Sequence, residues 1–178
     1  MPRYVALFGS INVAGNRLKM ADLRAAFEAE EFENVETVVA SDNVLFDHPE
    51  RPDEGLEEKL GLMMFDRFAM KSPALVRSRQ ALAATIAENP FAADGADNQV
   101  FTLFLDGPLD PDGFDALLAW HEGPERIAMG TRAMHVDFAA GVADSTLDWS
   151  FIERRIGRMG TARTLRAMTR ILAKMDER

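Results

Sequence analysis

The chain has 178 residues, 47% of them apolar, with no cysteine and a formal charge of −9. That length builds one large domain or two small ones around a real core. The composition excludes disulfides, thiol chemistry and cysteine-ligated zinc, no run approaches the roughly 20 apolar residues of a membrane span, and the acidic balance argues against duplex-DNA binding.

The N-terminal Met-Pro-Arg-Tyr carries no signal-peptide core, so the expected residence is cytoplasmic. Alternation and β-branched content then predict strands over about 4–8, 35–40, 43–47 and 74–78. Between the first two, Met20, Leu23, Ala25, Ala26 and Phe27 are read as one stripe at helical spacing. The next two strands form a hairpin expected to turn at Ser41-Asp42-Asn43. A second helix is expected over 53–66, with Asp53 as N-cap, acidic residues at its positive end and Leu56, Leu60, Met63 and Met64 inward. A third follows over 79–88 and stops before Asn89-Pro90, because proline disfavours helix in the residue before it.

Residues 92–98 are small, polar and acidic, and are read as a linker between subdomains 1–91 and 99–178. The second half opens with a strand at 99–105, a turn and helix entry at 106–113, and a helix expected to turn Phe114, Leu117, Leu118 and Trp120 to the core. Strands are expected at 125–129 and 133–138, then helices at 146–158 and 162–175. Both halves therefore follow the split β-α-β pattern. The second has a helix where its last strand should stand, and no letter-level repeat links the halves. The predicted class is α+β: two tandem ferredoxin-like halves with mostly antiparallel sheets and helices on one face.

This chain order brings the stretches 9–19, 40–43 and 67–72 to one edge of the first sheet. The first of these is longer than the two to six residues usual for such a connection. Together they offer Ser10, Asn12, Asn16, Arg17, Lys19, Ser41, Asp42, Asn43 and Lys71. Backbone amides, asparagines and a few cations suit a small anionic or nucleotide-like ligand. The competing reading is that Asn, Asp and Ser serve only the turns.

The spacing of Gly9 and Gly15 is not that of a phosphate-binding loop, and no Gly-x-Gly-x-x-Gly occurs. Asp110, Asp112 and Gly113 match a calcium loop at three places only, and its other ligands fail. His48, His121 and His135 lack metal-ligand spacing. Ser10 and Ser41 have no evident base. No metal or cofactor is predicted. Residues 151–178 hold eight cations against three acids, a net +5 that leaves −14 for the rest. A solvated helix face docked on an acidic body competes there with an anion or RNA contact.

The run Leu7-Phe-Gly-Ser-Ile-Asn-Val-Ala-Gly15 followed by Met20-Ala-Asp-Leu-Arg24 resembles the start of the bacterial domain of unknown function 1697. That family shows Leu-Arg-Gly-Ile-Asn-Val-Gly-Gly, then Met-x-x-Leu-Arg, and a Ser-Gly-Asn-Val hairpin matched by Ser41-Asp42-Asn43-Val44. Val76-Arg77-Ser78 and Asn89-Pro90-Phe91 fit its middle. Gly160-Thr161-Ala162-Arg163 fits the start of its Thr-x-Arg-Asn-Trp signature. Departures stand at Phe8-Gly9-Ser10, where the family has Arg before Gly-Ile-Asn, at Asp42 for the hairpin Gly, and at Thr164-Leu165 for Asn-Trp. The resemblance implies two ferredoxin-like halves and supplies no activity.

Three functions stay open at this point. One is ligand binding through Ser10, Asn12, Asn16, Arg17, Lys19, Ser41 and Asn43, with Arg163 reaching in from the C-terminal helix. The second is a homodimer formed through exposed sheet surface or edges. The third is an enzyme acting on a phosphorylated substrate.

Overall fold

The computed structural model describes residues 1–9 and 18–177, the side chain of Ser41 excepted. The chain divides into two compact units, Met1–Leu82 with Arg170–Arg178, and Ala83–Thr169. The first contains β1 (Arg3–Phe8), α1 (Met20–Ala29), β2 (Glu33–Val38), β3 (Ala40–Asp47), α2 (Asp53–Phe68) and β4 (Ala74–Ser78). Its sheet has the order β2-β3-β1-β4, with every pair antiparallel. Helix α3 (Arg79–Glu88) follows directly.

The second unit repeats this with β5 (Val100–Leu105), α4 (Pro111–Trp120), β6 (Arg126–Gly130), β7 (Ala133–Asp137), α5 (Trp149–Ile156) and β8 (Gly160–Thr164); α6 (Leu165–Asp176) follows, and from Arg170 on it belongs to the first unit. Its sheet has the order β6-β7-β5-β8, again antiparallel. Both halves are complete β-α-β-β-α-β units of ferredoxin-like order, as the α+β reading anticipates.

One core follows from the period-2 alternation of each sheet. Tyr4, Ala6 and Phe8 of β1 point to the same side as Val44 and Phe46 of β3, where Leu23 and Phe27 of α1 and Leu56, Leu60 and Met63 of α2 close over them. Phe27, Phe32 and Phe46 meet there at ring-centroid distances of 4.9 to 5.8 Å. The second unit does the same with Leu103 and Leu105 under Phe114, Leu117, Ile152 and Ile156. Helix ends are fixed locally. Asp110 accepts from the Gly113 amide at 3.1 Å, Asp148 accepts from Phe151 at 2.8 Å, and Gly157 ends α5 at φ +68°.

Several expected boundaries are corrected. Asp53 is the first helical residue of α2, not its N-cap; its carboxylate accepts instead from the Ser78 amide of β4 at 3.3 Å. Residues 160–164 form a strand, so the helix expected from 162 begins at Leu165. Arg163, Arg166, Arg170 and Lys174 continue a helical period backwards into that strand. Pairing of Leu103 with Ala162 and Phe101 with Thr164 overrides it, because β5 would otherwise lack a partner on that side.

The first hairpin does not turn at Ser41-Asp42-Asn43. Those residues lie in β3, and Val38 pairs with Ala40 around Val39. Val39 adopts φ +65° and is 51% exposed. A left-handed conformation costs a non-glycine residue about 1–2 kcal/mol, and a β-branched side chain suits it worst. Val39→Asn therefore raises stability by about 1 kcal/mol, since asparagine tolerates this region and no buried contact is lost. Urea unfolding checks this, and an unchanged or lower midpoint contradicts the strain.

Candidate functional site

The end of the first sheet where β1 finishes is assembled by register. Leu7 pairs with Asn43 and Phe8 with Ala74, and the Gly9 amide donates to the Pro73 carbonyl at 3.3 Å. The start of β3, the start of β4 and the exit of β1 thus share one end. Helix α1 begins at Met20 with Lys19 at its N-cap, and the lysine side chain makes no cap bond. The first-turn amides of α1 are a partial positive charge that favours anions.

Of the candidate residues, Ser10, Asn12, Asn16 and Arg17 lie outside the described residues, as does the side chain of Ser41. Lys19 and Lys71 are exposed, and Asp42 is half-buried. Asn43 is only 2% exposed. It stands opposite Leu7, on the face turned away from the Phe8 side of the sheet. Arg163 is placed differently from the reading that put it on the C-terminal helix. It lies in β8 of the second unit, where its guanidinium donates to Thr161 Oγ1 at 2.7 Å and to the Ala162 carbonyl at 2.9 Å. Lys19, Ser41 and Asn43 therefore belong to one end of the first unit, and Arg163 is a buried residue of the other.

The equivalent end of the second unit is built in the same way but closed. The Asp106 amide donates to the Met159 carbonyl at 3.0 Å, the counterpart of Gly9 and Pro73. Only residues 106–110 connect β5 to α4, where residues 9–19 connect β1 to α1. Asp110 caps α4 with its own carboxylate. In the same unit, Glu153 accepts from the Gly160 amide at 3.1 Å. Burial pushes its carboxyl upward, the Gly160 amide opposes this, and the Asp106 charge adds to it.

Sequence reasoning missed one polar network in this unit. His135 on β7 is fully buried, with Nδ1 2.8 Å from Thr102 Oγ1 and Nε2 3.3 Å from Glu88 Oε1. Glu88 also accepts from the Thr131 amide at 2.9 Å and from its hydroxyl at 3.0 Å. Gly130 permits this approach, since a Cβ there would stand 2.6 Å from Glu88 Oε1 and 2.7 Å from His135 Nε2. The only sequence signal was a histidine inside an alternating strand. With Thr102 itself fully buried, the network is a structural tie between the β6–β7 turn and the end of α3. Among the described residues, no group of three or more His, Asp and Glu is placed to hold a metal ion. None of the described helices is long and apolar enough to cross a membrane.

Comparison with known proteins adds three findings. The model of a family described as "Protein of unknown function (DUF1697)" matches residues 1–135. The solved structure of the conserved bacterial protein SP0830 from Streptococcus pneumoniae superposes with a TM-score of 0.76 at 20% identity, over 99% of each chain, which is a likeness of fold. No curated protein matches.

Burial lowers the pKa of His135, and the Glu88 carboxylate only partly offsets this. The histidine is thus neutral in the folded protein when it is already protonated in the unfolded chain. Below the unfolded value near 6.5 the unfolded state binds more protons, so stability falls as pH drops from there toward the folded value. Urea unfolding between pH 7.5 and 5 will show this loss in the native chain and a smaller one in His135→Gln. Equal slopes for the two proteins would refute it.

Proposed function

The chain belongs to the DUF1697 family of unknown function, and from that premise we propose that it binds a small anionic, nucleotide-like ligand where 9–19, the start of β3 and the entry to β4 meet. The observation that carries this reading is the inequality of two equivalent connections. The second unit joins β5 to α4 in the five residues 106–110, so the fold itself asks for no more. The first unit spends the eleven residues 9–19 on the same step. A surplus of that kind, held on a rigid scaffold, is where binding groups usually collect.

Two further features support it. The α4 start is closed by Asp110, whereas the α1 start has Lys19 at the N-cap and no side-chain cap from it. Lys19 and Lys71 are both exposed on this unit, and helix amides next to lysines attract phosphate or carboxylate. Asp22 in the first turn of α1 is the opposing charge. Asn43, being buried, serves by fixing the start of β3 and not by touching a ligand.

The test is a thermal-shift series with nucleotides, sugar phosphates and short RNA. A ligand at about 100 times its Kd stabilises by roughly 2.7 kcal/mol, a clear rise in Tm. A variant in which residues 106–110 replace 9–19 keeps its fold and loses the shift, and Lys19→Ala weakens it. If no anion moves the native Tm, or the shortened variant responds equally, the reading fails.

A further inference from the structure

A sheet edge recruits another strand when its outward N–H and C=O groups have no partner. The two sheets have four edge strands, β2, β4, β6 and β8. Three of these are closed by the chain's own side chains. On β4, Glu57 Oε1 accepts from the Val76 amide at 3.0 Å, Asp53 accepts from Ser78, and Arg77 donates to the Val76 carbonyl at 2.8 Å. On β8, Glu153 accepts from the Gly160 amide and Arg163 donates to the Ala162 carbonyl. Strand β2 is broken by two register shifts. Its Asn34 is left-handed at φ +48°, and the Asn34 carbonyl accepts from Arg3 at 3.3 Å. Glu36 of β2 is ion-paired with the same arginine.

Strand β6 has none of these devices. It pairs with β7 through five consecutive positions without a shift. Among the described residues, no side chain bonds the backbone of 126–130. Its sequence, Arg-Ile-Ala-Met-Gly, has no proline, lysine or acid. Its one charge, Arg126, is held at 3.0 Å by Asp94 and at 3.1 Å by Asp137 of its own chain. Met129 is 40% exposed, and Ile127 is half-buried at the margin of the core.

We propose that β6 is a dimerisation edge, pairing antiparallel with β6 of a second copy about a twofold axis through Ala128. The residue order favours a second copy over an unrelated strand, because it is self-complementary about that point. Ile127 then faces Met129 of the second copy, and both lie on the helix-bearing face of the sheet. Arg126 faces Gly130 of the second copy, so the cations stand at opposite ends. With Met129 on the axis instead, Arg126 would face Arg132, and like charges directly opposite are unfavourable. The contact is isologous and closes at two subunits.

The proposal concerns only the second unit, so it stands or falls independently of the ligand reading. Sedimentation velocity of the full chain at micromolar and higher concentrations is expected to show a dimer. Met129→Lys, which places a charge on the edge, is expected to give a folded monomer whose Tm, unlike that of the native chain, does not rise with protein concentration. The native chain has no thiol, so Ala128→Cys supplies the only one. Opposed Cα atoms in an antiparallel pair lie about 4.5–5.5 Å apart, within the reach of a disulfide. Mild oxidation should therefore link Ala128→Cys into a covalent dimer well before an Asp112→Cys control, which carries its thiol on the exposed side of α4. A monomeric native chain, a dimer that survives Met129→Lys, or cross-linking no faster than the control would each overturn the assignment.

Discussion

Strands β1 and β5 are the constraint from which the rest of each unit follows. Each is hydrogen-bonded to a neighbour on both sides, and side chains on both of its faces are buried. A polar group on such a strand must find its partner inside the protein or be replaced by an apolar one. Arg3, at the start of β1, is therefore tied to Asp47 at 3.1 Å, and Asp47 also accepts from Asn34 at 2.7 Å. Thr102, in the middle of β5, is tied to His135. With the strand bodies committed in this way, chemistry that meets solvent can stand only at the sheet ends and edges.

The two units repeat in the roles of their residues more than in their letters. Arg77 and Arg163 occupy the same position in β4 and β8, and each bonds back to the carbonyl before it. The next residue in each case is a hydroxyl that caps the following helix: Ser78 accepts from Ala81 at 3.1 Å, and Thr164 accepts from Ala167 at 3.0 Å. Asp47 and Asp137 end β3 and β7, and both are buried against an arginine, Arg3 in one unit and Arg126 in the other. Because the arginine comes from a different strand in each unit, a comparison of letters at fixed spacing does not find the match. The physical requirement it serves, a paired carboxylate at the end of a buried strand, is the same.

That difference also explains what was legible in the sequence. The order of strands and helices was readable because alternation and helical periodicity are local and strong in β1, α1, α2, β5 and α4. Strand β8 was not, since the spacing of its arginine continued the cationic period of α6 and the decisive fact, a vacant side of β5, is non-local. The first hairpin misled because Ser, Asp and Asn are the usual turn residues, while the tight reversal fell on Val39. At the candidate site, the shared end of the β1 exit with the starts of β3 and β4 followed from topology. The burial of Asn43 and the strand placement of Arg163 did not, because each depends on which face of a sheet is covered. The length of 9–19 was visible at once, but its meaning needed the five-residue counterpart at 106–110 for scale.

The basic character of the C-terminal segment bears on where an anion could bind. Read as a sequence, 151–178 offers a net positive run on an otherwise acidic chain. In the folded protein much of it is already engaged. Arg163 is buried in β8, Arg166 pairs with Asp97 at 2.8 Å, and Arg158 donates to the Pro108 carbonyl at 3.1 Å. Arg155 lies over Phe151 and Trp120, and Lys174 pairs with Glu177 at 3.0 Å. Exposed pairs of this kind add little stability, but they cancel the local field that a phosphate would feel. These cations are thus engaged by acids, carbonyls or rings of the chain itself. Attraction of an anion to a chain of this net charge must come from a place where cations and helix amides act together within a Debye length of about 8–10 Å. At the start of α1 the first-turn amides stand beside Lys19, whose side chain makes no cap bond, and Asp22 in the same turn opposes their partial charge.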